Sequence, residues 1–288
     1  DKYGRWFSDP SEPLFAARKE GLFVAHLDSA TFYHDDGREE TIPQKVYEFT
    51  PIRSGYALGL WKKIQIGQKV IAVSGNRVGA NLELPTGKLI VTSGETVHLV
   101  DPVSGTADAI VAPKSELTGL TNIGDTVWAA SINGMLYRSP VEPPLEFTKV
   151  SDLPAAGSAT LAHLGSHLIV AGANIGVRFG DVFHPAIGTG ALQNPRLAEN
   201  LDGLWLLGEQ DGVHRLGRLV LSGDSVEWQT VEAKGLALLA DPHSLNGSGH
   251  SLTIRGGNQI LELHRDQAAW GDRRVLLPAH RILCIEQF

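Results

Sequence analysis

Short apolar runs separated by turn-forming residues dominate this chain. Runs of four or five residues rich in Val, Ile, Leu and aromatic side chains alternate with clusters of Gly, Pro, Asn, Asp and Ser. No stretch keeps apolar residues at helical spacing over three turns with caps at both ends, so long helices are not predicted. The pattern is typical of an all-β protein with many tight turns.

Two short signatures recur along the chain. An apolar run is followed, a few residues later, by a Gly- or Asn-marked turn that leads to an apolar residue and then a ring or Arg. The clearest copy joins residues 127–130 to 133–138. Further copies lie at 168–178, 204–215, 89–98 and 252–265. Two strands and a turn that recur in this way indicate a repeat architecture.

The spacing of the repeat predicts its size. The position after the apolar residue of the second signature is occupied in turn by Tyr33, His98, Tyr137, Arg178, His214 and His264. Three of the five gaps are close to forty residues, about the length of a four-stranded propeller blade. We therefore predict a single β-propeller with six four-stranded antiparallel blades. Seven blades is the alternative, in which the segment around Trp61 is a blade of its own.

The strands of a blade can be placed along the repeat. In one unit we predict strands at 117–123, 126–131, 135–139 and 145–150, and in the next at 159–164, 167–171 and 176–179. A blade has two apolar faces, so it is stable only against neighbours, and a closed ring provides them. We expect residues 1–288 to form one domain, with 1–13 as an extension or closing strand and 281–288 as another candidate closing strand.

The turns at 132–139 and 210–215 resemble a known type of segment. Their Asn-Gly-Met-Leu-Tyr-Arg-Ser and Asp-Gly-Val-His-Arg sequences are similar to the "Asp-Gly-hydrophobic-aromatic-Arg-Ser" segments of the WD40/YVTN/BNR-like β-propeller superfamily. The resemblance extends from about residue 14 to the end of the chain and implies the fold, with little about function. A regular Ser-x-Asp-x-Gly-x-x-Trp box and the Trp-Asp dipeptide are absent, so sialidase-like catalysis is not supported.

Composition narrows the class of protein. The chain has 288 residues, of which 42% are hydrophobic and 20% charged, as in an ordinary globular protein. The apolar runs are too short to cross a bilayer. The net charge of −7 disfavours non-specific attraction to nucleic acid, and we predict no nucleic-acid partner.

The single cysteine and the first residue bear on the cellular compartment. Cys284 is the only cysteine, so an intrachain disulfide and a Cys-x-x-Cys site are excluded, and its apolar neighbours predict a buried structural thiol. The chain opens on Asp1 rather than Met. We interpret this as removal of a signal peptide and expect an exported, periplasmic protein, with a cytoplasmic location as the alternative.

Candidate metal and catalytic motifs are weak. His34-Asp35-Asp36 is the densest ligand-like run, but successive strand residues point to opposite faces and Asp-Asp-Gly favours a hairpin turn. No H-E-x-x-H, H-x-H or Gly-x-Ser-x-Gly motif occurs. The recurring His, Tyr and Arg positions are interpreted as packing slots, and Trp128 and Trp205 as core between blades. We expect no cofactor.

One enzymatic alternative stays open. Propeller lactonases and related calcium-dependent hydrolases use Asn, Asp and Glu side chains that project into the central channel. Residues of these types near predicted strand ends are Asn122, Asn174, Glu199, Asn200, Asp202 and Asp241. The same residue types also favour turns. Calcium is expected only under this alternative.

The leading hypothesis is a non-catalytic propeller that captures a protein partner with loops on one face, where an acidic surface suits a basic partner. A specific version is an exported bacterial immunity-type protein that neutralises a toxin enzyme; a sugar-binding lectin is a further alternative. We expect function in the segments that break the repeat, chiefly 34–86, 180–200 and 241–250. The predicted partner-binding residues are Trp6, His34, Asp35, Asp36, His184, Asp241, His243 and Trp270.

Overall fold

The described part of the computed structural model is almost entirely β-strand. It comprises residues 14–18, 21–25, 28–34, 38–153, 159–172, 175–179, 182–190, 192–223, 225–233, 235–248, 251–256, 259–266 and 269–276. Within these ranges one short 3-10 helix, Leu236–Leu238, is the only helical segment. None of the helical segments in the same ranges has the length and apolar character needed to span a membrane.

Twenty-six strands in the described ranges pair into six sheets. The first sheet has its strands in chain order: β1 (Leu14–Arg18), β2 (Gly21–Ala25), β3 (Ala30–His34) and β4 (Glu39–Ile42). The second has six, also side by side in chain order: β5 (Glu48–Ile52), β6 (Gly55–Ile66), β7 (Lys69–Glu83), β8 (Leu89–Ser93), β9 (Thr96–Asp101) and β10 (Thr106–Ile110).

Each of the other four sheets has four strands in chain order. The third and fourth sheets contain β11 (Leu117–Ile123), β12 (Thr126–Ser131), β13 (Met135–Pro140), β14 (Thr148–Asp152), β15 (Thr160–Leu164), β16 (His167–Ala171), β17 (Ile175–Phe179) and β18 (Val182–Pro185). The fifth and sixth contain β19 (Gln193–Asn200), β20 (Gly203–Gln210), β21 (Val213–Ser222), β22 (Ser225–Val231), β23 (Pro242–Ser248), β24 (Ser251–Gly256), β25 (Gln259–Asp266) and β26 (Ala269–Leu276).

The repeat predicts bounds for seven of these strands, and six of the seven agree with the structure to within one residue at each end. β11, β12 and β16 have the predicted bounds, and β13, β15 and β17 differ by one residue. The fourth strand of the third sheet was predicted three residues too early, since β14 begins at Thr148. The apolar signal there comes from Leu145 and Phe147, which are buried in the core without belonging to a strand. This segment is instead held by the Glu146 backbone N–H, which donates to Ser139 Oγ at 2.9 Å.

The described residues group into two compact units, drawn mainly from Thr41–Ser166 and from His167–Phe288. In the first unit, a core cluster joins the second and third sheets through side chains such as Ile90, Leu99 and Val127. In the second unit, a cluster that includes Leu216 and Leu252 joins the fifth and sixth sheets. In each unit a sheet is therefore stabilised by burying apolar faces against the next sheet.

Strand β7 belongs to two different pairings. Within residues 69–77, residues 69–72 and Arg77 pair with β6, whereas Val78 and residues 81–83 pair with β8. We call β5, β6 and residues 69–77 the β5–β7 extension. Its Ile64 and Val73 pack in one buried cluster with Leu89 of β8. The extension therefore covers one face of the sheet to which it is joined, and the segment around Trp61 is continuous with that sheet.

Candidate functional site

Three consecutive side chains of β6 reach solvent: Trp61, Lys62 and Lys63. In a regular strand successive side chains alternate between the two faces, so three exposed positions in a row require an irregularity. Lys62 supplies it with a left-handed φ of 56°, and the pairing register shifts between Trp61 and Lys63. This β-bulge turns all three side chains outward.

The register of β6 against β7 changes abruptly across Lys62. On one side Trp61 pairs with Arg77, and on the other Lys63 pairs with Ala72. Residues 73–76 therefore lie opposite Lys62 alone, a larger excess than the single extra residue of a simple bulge. The local backbone conformation therefore depends on irregularities in both β6 and β7.

The β7 side of this bulge is fixed to the turn between β8 and β9. The Thr96 hydroxyl donates to the Ser74 carbonyl at 3.0 Å, and the Ser93 hydroxyl donates to the Asn76 carbonyl at 3.1 Å. Gly75 has a φ of 103°, and a Cβ there would overlap the Ser93 carbonyl oxygen. Only glycine fits this position without strain. The bulge is therefore a well-supported platform.

Aromatic rings and lysines come together beside the bulge. Trp61 is 54% exposed, and it is the one exposed residue among the Phe, Tyr and Trp residues whose side-chain burial the structure describes. Its ring centroid lies 6.2 Å from that of Tyr47, and Lys45 Nζ lies 5.3 Å from the Tyr47 centroid, within cation–π range. We call Lys45, Tyr47, Trp61, Lys62 and Lys63 the Trp61 surface.

The Trp61 surface carries positive charge. Within the described part of the chain, no ion pair joins its three lysines to a carboxylate. Burial of the carboxyl group raises the pKa of the neighbouring Glu48 to about 8, so this acid is mostly neutral at pH 7. The surface is basic although the chain as a whole has a net charge of −7.

Several predicted site residues lie outside the described residues, namely Trp6, Asp35, Asp36, Asn174 and Cys284, together with segments 1–13 and 281–288. His34, at the end of β3, is described. Its ring packs edge-on against Phe32 at 4.4 Å, and its Nε2 lies 3.7 Å from a Glu40 carboxylate oxygen. The predictions for the other two residues of the His-Asp-Asp run stay predictions.

The remaining predicted partner-binding residues lie in, or directly before, strands of the fourth and sixth sheets. His184 is exposed on β18, and Asp241 is exposed just before β23 with a φ of 48°. His243 and Trp270 lie in β23 and β26, the two outer strands of the sixth sheet, and the pairing register puts them at opposite ends of these strands. Their backbones are therefore more than about 14 Å apart at the usual strand spacing. The sheet therefore does not bring these two positions together.

Two of the candidate channel residues hold turns. The Asn122 side-chain amide donates to the Gly124 carbonyl at 2.9 Å. Asn200 Oδ1 accepts from the Asp202 backbone N–H at 2.8 Å and from Trp205 Nε1 at 2.9 Å. These contacts agree with the turn interpretation of such residues. The described residues contain no group of three or more His, Cys, Asp or Glu that could hold a metal ion, and the calcium alternative stays a prediction.

A serine and a histidine meet at the bulge, but their geometry is structural. Ser74 Oγ lies 3.1 Å from His98 Nε2, which is also 3.1 Å from the Ser74 carbonyl oxygen. A carbonyl can only accept, so the contact with the Ser74 carbonyl is a hydrogen bond when the His98 proton is at Nε2, and in that tautomer Nε2 has no lone pair with which to act as a general base. His98 Nδ1 is buried without a hydrogen-bond partner among the described atoms. The pair therefore anchors β7 on β9.

The recurring His, Tyr and Arg positions are interpreted as packing slots, and some of the described side chains at these positions are buried as that interpretation requires. His98, Tyr137 and Arg178 are buried, whereas His214 is half-buried. The prediction that Trp128 and Trp205 are core residues likewise agrees with the burial of only one of the two. Trp205 is buried in the core of the second unit, but Trp128 is only half-buried.

Sequence reasoning missed Trp61 as a site residue. It selected segment 34–86 because that segment breaks the repeat, and the tryptophan is followed by two lysines. The feature of the sequence that could have indicated this site is a tryptophan followed directly by two lysines. The bulge that exposes all three was not visible, since lysine is an unusual residue at positive φ.

Comparison with known proteins supports the fold alone. No protein-family profile and no curated protein matches the chain. A chain in the crystal structure of the mitotic checkpoint complex has 13% sequence identity and a TM-score of 0.64, over 87% of this chain and 85% of that one. A chain of the computationally designed Ika8 protein has 12% identity and a TM-score of 0.60, over 92% and 87%.

The sheets and these likenesses together define the class. The chain has a β-propeller fold built from antiparallel sheets, as the repeat predicted. Identities this low carry no information about ligands or activity, because one fold hosts many unrelated functions.

Proposed function

We propose that this chain is a non-catalytic protein-interaction scaffold that captures a partner at the Trp61 surface. The observation that carries the proposal is Trp61 itself, which is 54% exposed beside Tyr47 on an anchored bulge. Tryptophan and tyrosine are enriched among the residues that dominate binding energy. A rigid strand loses little conformational entropy when a partner binds, so more of the contact energy becomes affinity.

The class of fold supports the same proposal. Propellers present large surfaces from short, protected strands, and one of the structurally similar chains belongs to a multiprotein complex, the mitotic checkpoint complex. We extend the proposal to membership of the WD40/YVTN/BNR-like superfamily on the two turn segments at 132–139 and 210–215.

Two finer proposals follow from the sequence. The partner is a toxin enzyme and the chain acts as an immunity-type protein, and the chain is exported to the periplasm. Co-expression with a toxin encoded beside this gene would test the first proposal, since survival would require the chain. Fractionation of native cells would test the second.

The central experiment removes the exposed tryptophan. Wild type, Trp61→Ala and Leu201→Ala are immobilised and exposed to native extract, and bound proteins are quantified by mass spectrometry. Leu201 is 75% exposed and serves as the matched control for losing an exposed apolar side chain. We expect Trp61→Ala to reduce capture of the partner by at least tenfold, since truncation of a dominant interface residue costs about 2 kcal/mol or more.

The same experiment can contradict the proposal. Thermal melts should show equal folding of the three proteins, because both changes are at the surface. If the wild type captures nothing, or if Trp61→Ala captures the same proteins in the same amounts, the Trp61 surface is not the partner site.

A further inference from the structure

We propose that the Trp61 surface recognises an acidic, extended segment of its partner that presents both carboxylates and apolar side chains on one face. This inference rests on the proposed function and adds the chemistry of the partner. It reverses the expectation that an acidic chain binds a basic partner, because the local surface and the whole chain have opposite charge.

The charge of the surface selects carboxylates. Lys62 and Lys63 are exposed on the bulge, and Lys45 lies over the Tyr47 ring. The nearby Arg77 already forms an ion pair, since it lies 3.7 Å from Glu116. The lysines therefore remain available within the described part of the chain, and carboxylates are the protein groups that form charge-assisted hydrogen bonds with ammonium groups.

The apolar component of the segment follows from the neighbouring strand face. Val70 is 54% exposed and Ala72 is exposed. Ala72 pairs across the strands with Lys63, and Val70 with Gln65. Together with Trp61, the outer face of the β5–β7 extension thus places apolar and basic or polar side chains side by side. A partner segment in strand conformation presents every second side chain to one face, at matching spacing.

An acidic peptide fits better than the other common polyanion. Nucleic acid carries charge along its whole length and would be repelled by the rest of a chain whose net charge is −7, whereas a short peptide places its charges at the surface alone. Nucleic acid is therefore an outcome that the test must distinguish.

The test measures fluorescence anisotropy with three labelled probes. The first is a short peptide whose alternate positions on one strand face carry Asp or Glu and Leu or Phe in turn, the second has Asn and Gln in place of the acids, and the third is oligo-dT. We expect binding of the acidic peptide only, with affinity that falls at least about tenfold between low salt and 0.5 M salt, where the screening length is near 4 Å.

Matched variants locate the binding. The double variant Lys62→Gln, Lys63→Gln and the single variant Trp61→Ala should each weaken binding of the acidic peptide at least about tenfold. The double variant Lys114→Gln, Lys149→Gln makes the same change in net charge elsewhere on the first unit and should leave affinity within about twofold. Thermal melts of every variant confirm that folding is retained.

Several results would overturn the inference. They are equal affinity for the uncharged peptide, tighter binding of oligo-dT that needs the same lysines, equal loss of affinity in the control double variant, or no binding of the acidic peptide. If capture of the native partner still depends on Trp61 in any of these cases, the proposed function stands and only the acidic chemistry fails. If that dependence is also absent, both fail.

Discussion

The backbone of one residue decides which side chains of β6 meet solvent. Lys62 adopts a left-handed φ of 56°, a conformation that costs a non-glycine residue roughly 1 kcal/mol or more. The pairing of Trp61 and Lys63 with β7, on either side of Lys62, offsets this conformational energy. Because lysine gives no sign of this conformation in the sequence, the exposed trio could not be predicted from the residue pattern.

Gly75 gives a prediction about the support of the surface. Gly75→Ala should lower the free energy of unfolding by more than about 3 kcal/mol, because the new methyl group would overlap the Ser93 carbonyl and the φ is unfavourable. Gly87→Ala is the control, since its φ is 82° and no atom lies within 4 Å of a Cβ there. It should cost only about 1 kcal/mol. Urea denaturation measures both, and equal losses would contradict the described packing.

Glu48 gives a prediction about pH. Burial raises the pKa of its carboxyl from 4.5 to about 8 in the folded protein, so between these values the folded chain holds a proton that the unfolded chain has lost. The contribution of this group to stability is full below pH 4.5 and is lost as the pH rises toward 8, by at most about 1.4 kcal/mol per pH unit.

The variant Glu48→Gln removes that titration while keeping the shape of the side chain. Its free energy of unfolding should therefore rise relative to wild type as the pH increases across this window, and level off above pH 8. Urea denaturation at several pH values measures the difference. Glu95→Gln, at an exposed turn position, controls for loss of a carboxyl group. Parallel pH profiles of wild type and Glu48→Gln would contradict the burial of this acid.

At the scale of elements, the β5–β7 extension is a sheet with one buried and one exposed face. Ile64 and Ile71 pair across its strands and are buried against β8, whereas Gln65 and Val70 pair on the outer face. Burial alternates along residues 70–74 of β7, but Val70 to Val73 form a continuous apolar run, so the residue pattern does not predict which face is buried. The attachment of β7 to β8 was not predictable, because no local pattern states that one strand will serve two pairings.

The two faces give a paired prediction. Ile64→Ala should lower the free energy of unfolding by about 2 to 5 kcal/mol, since its side chain is fully buried and leaves a cavity. Val70→Ala on the outer face should change it by less than about 0.5 kcal/mol. Urea denaturation of both variants checks the assignment of faces. Similar effects of the two substitutions would show that the extension does not pack as described.

At the scale of the whole molecule, the spacing of the repeat predicts the fold, whereas the overall composition does not locate the candidate site. Three gaps near forty residues and turns such as 132–139 predicted four-stranded antiparallel sheets, and the same fold occurs in proteins with 13% and 12% identity. Many different sequences form the same repeated strands and turns. The fold can therefore be predicted from the sequence, while the function cannot. The net charge is a sum over all residues. It does not give the sign of the charge on the surface around Lys45, Lys62 and Lys63, because that sign depends on which residues the fold brings together.

The continuity of β7 has a consequence for how such a surface can be inherited. Residues 69–77 complete the β5–β7 extension, which carries the proposed partner site, and the strand continues into residues 78–83, which pair with β8. An exchange of segment 48–77 between relatives would cut this strand in its middle and leave both partners without their hydrogen-bonded neighbour. Under the proposed function, the specificity for a partner therefore has to change by substitution in place, at Trp61 and its lysines, while β7 keeps its length.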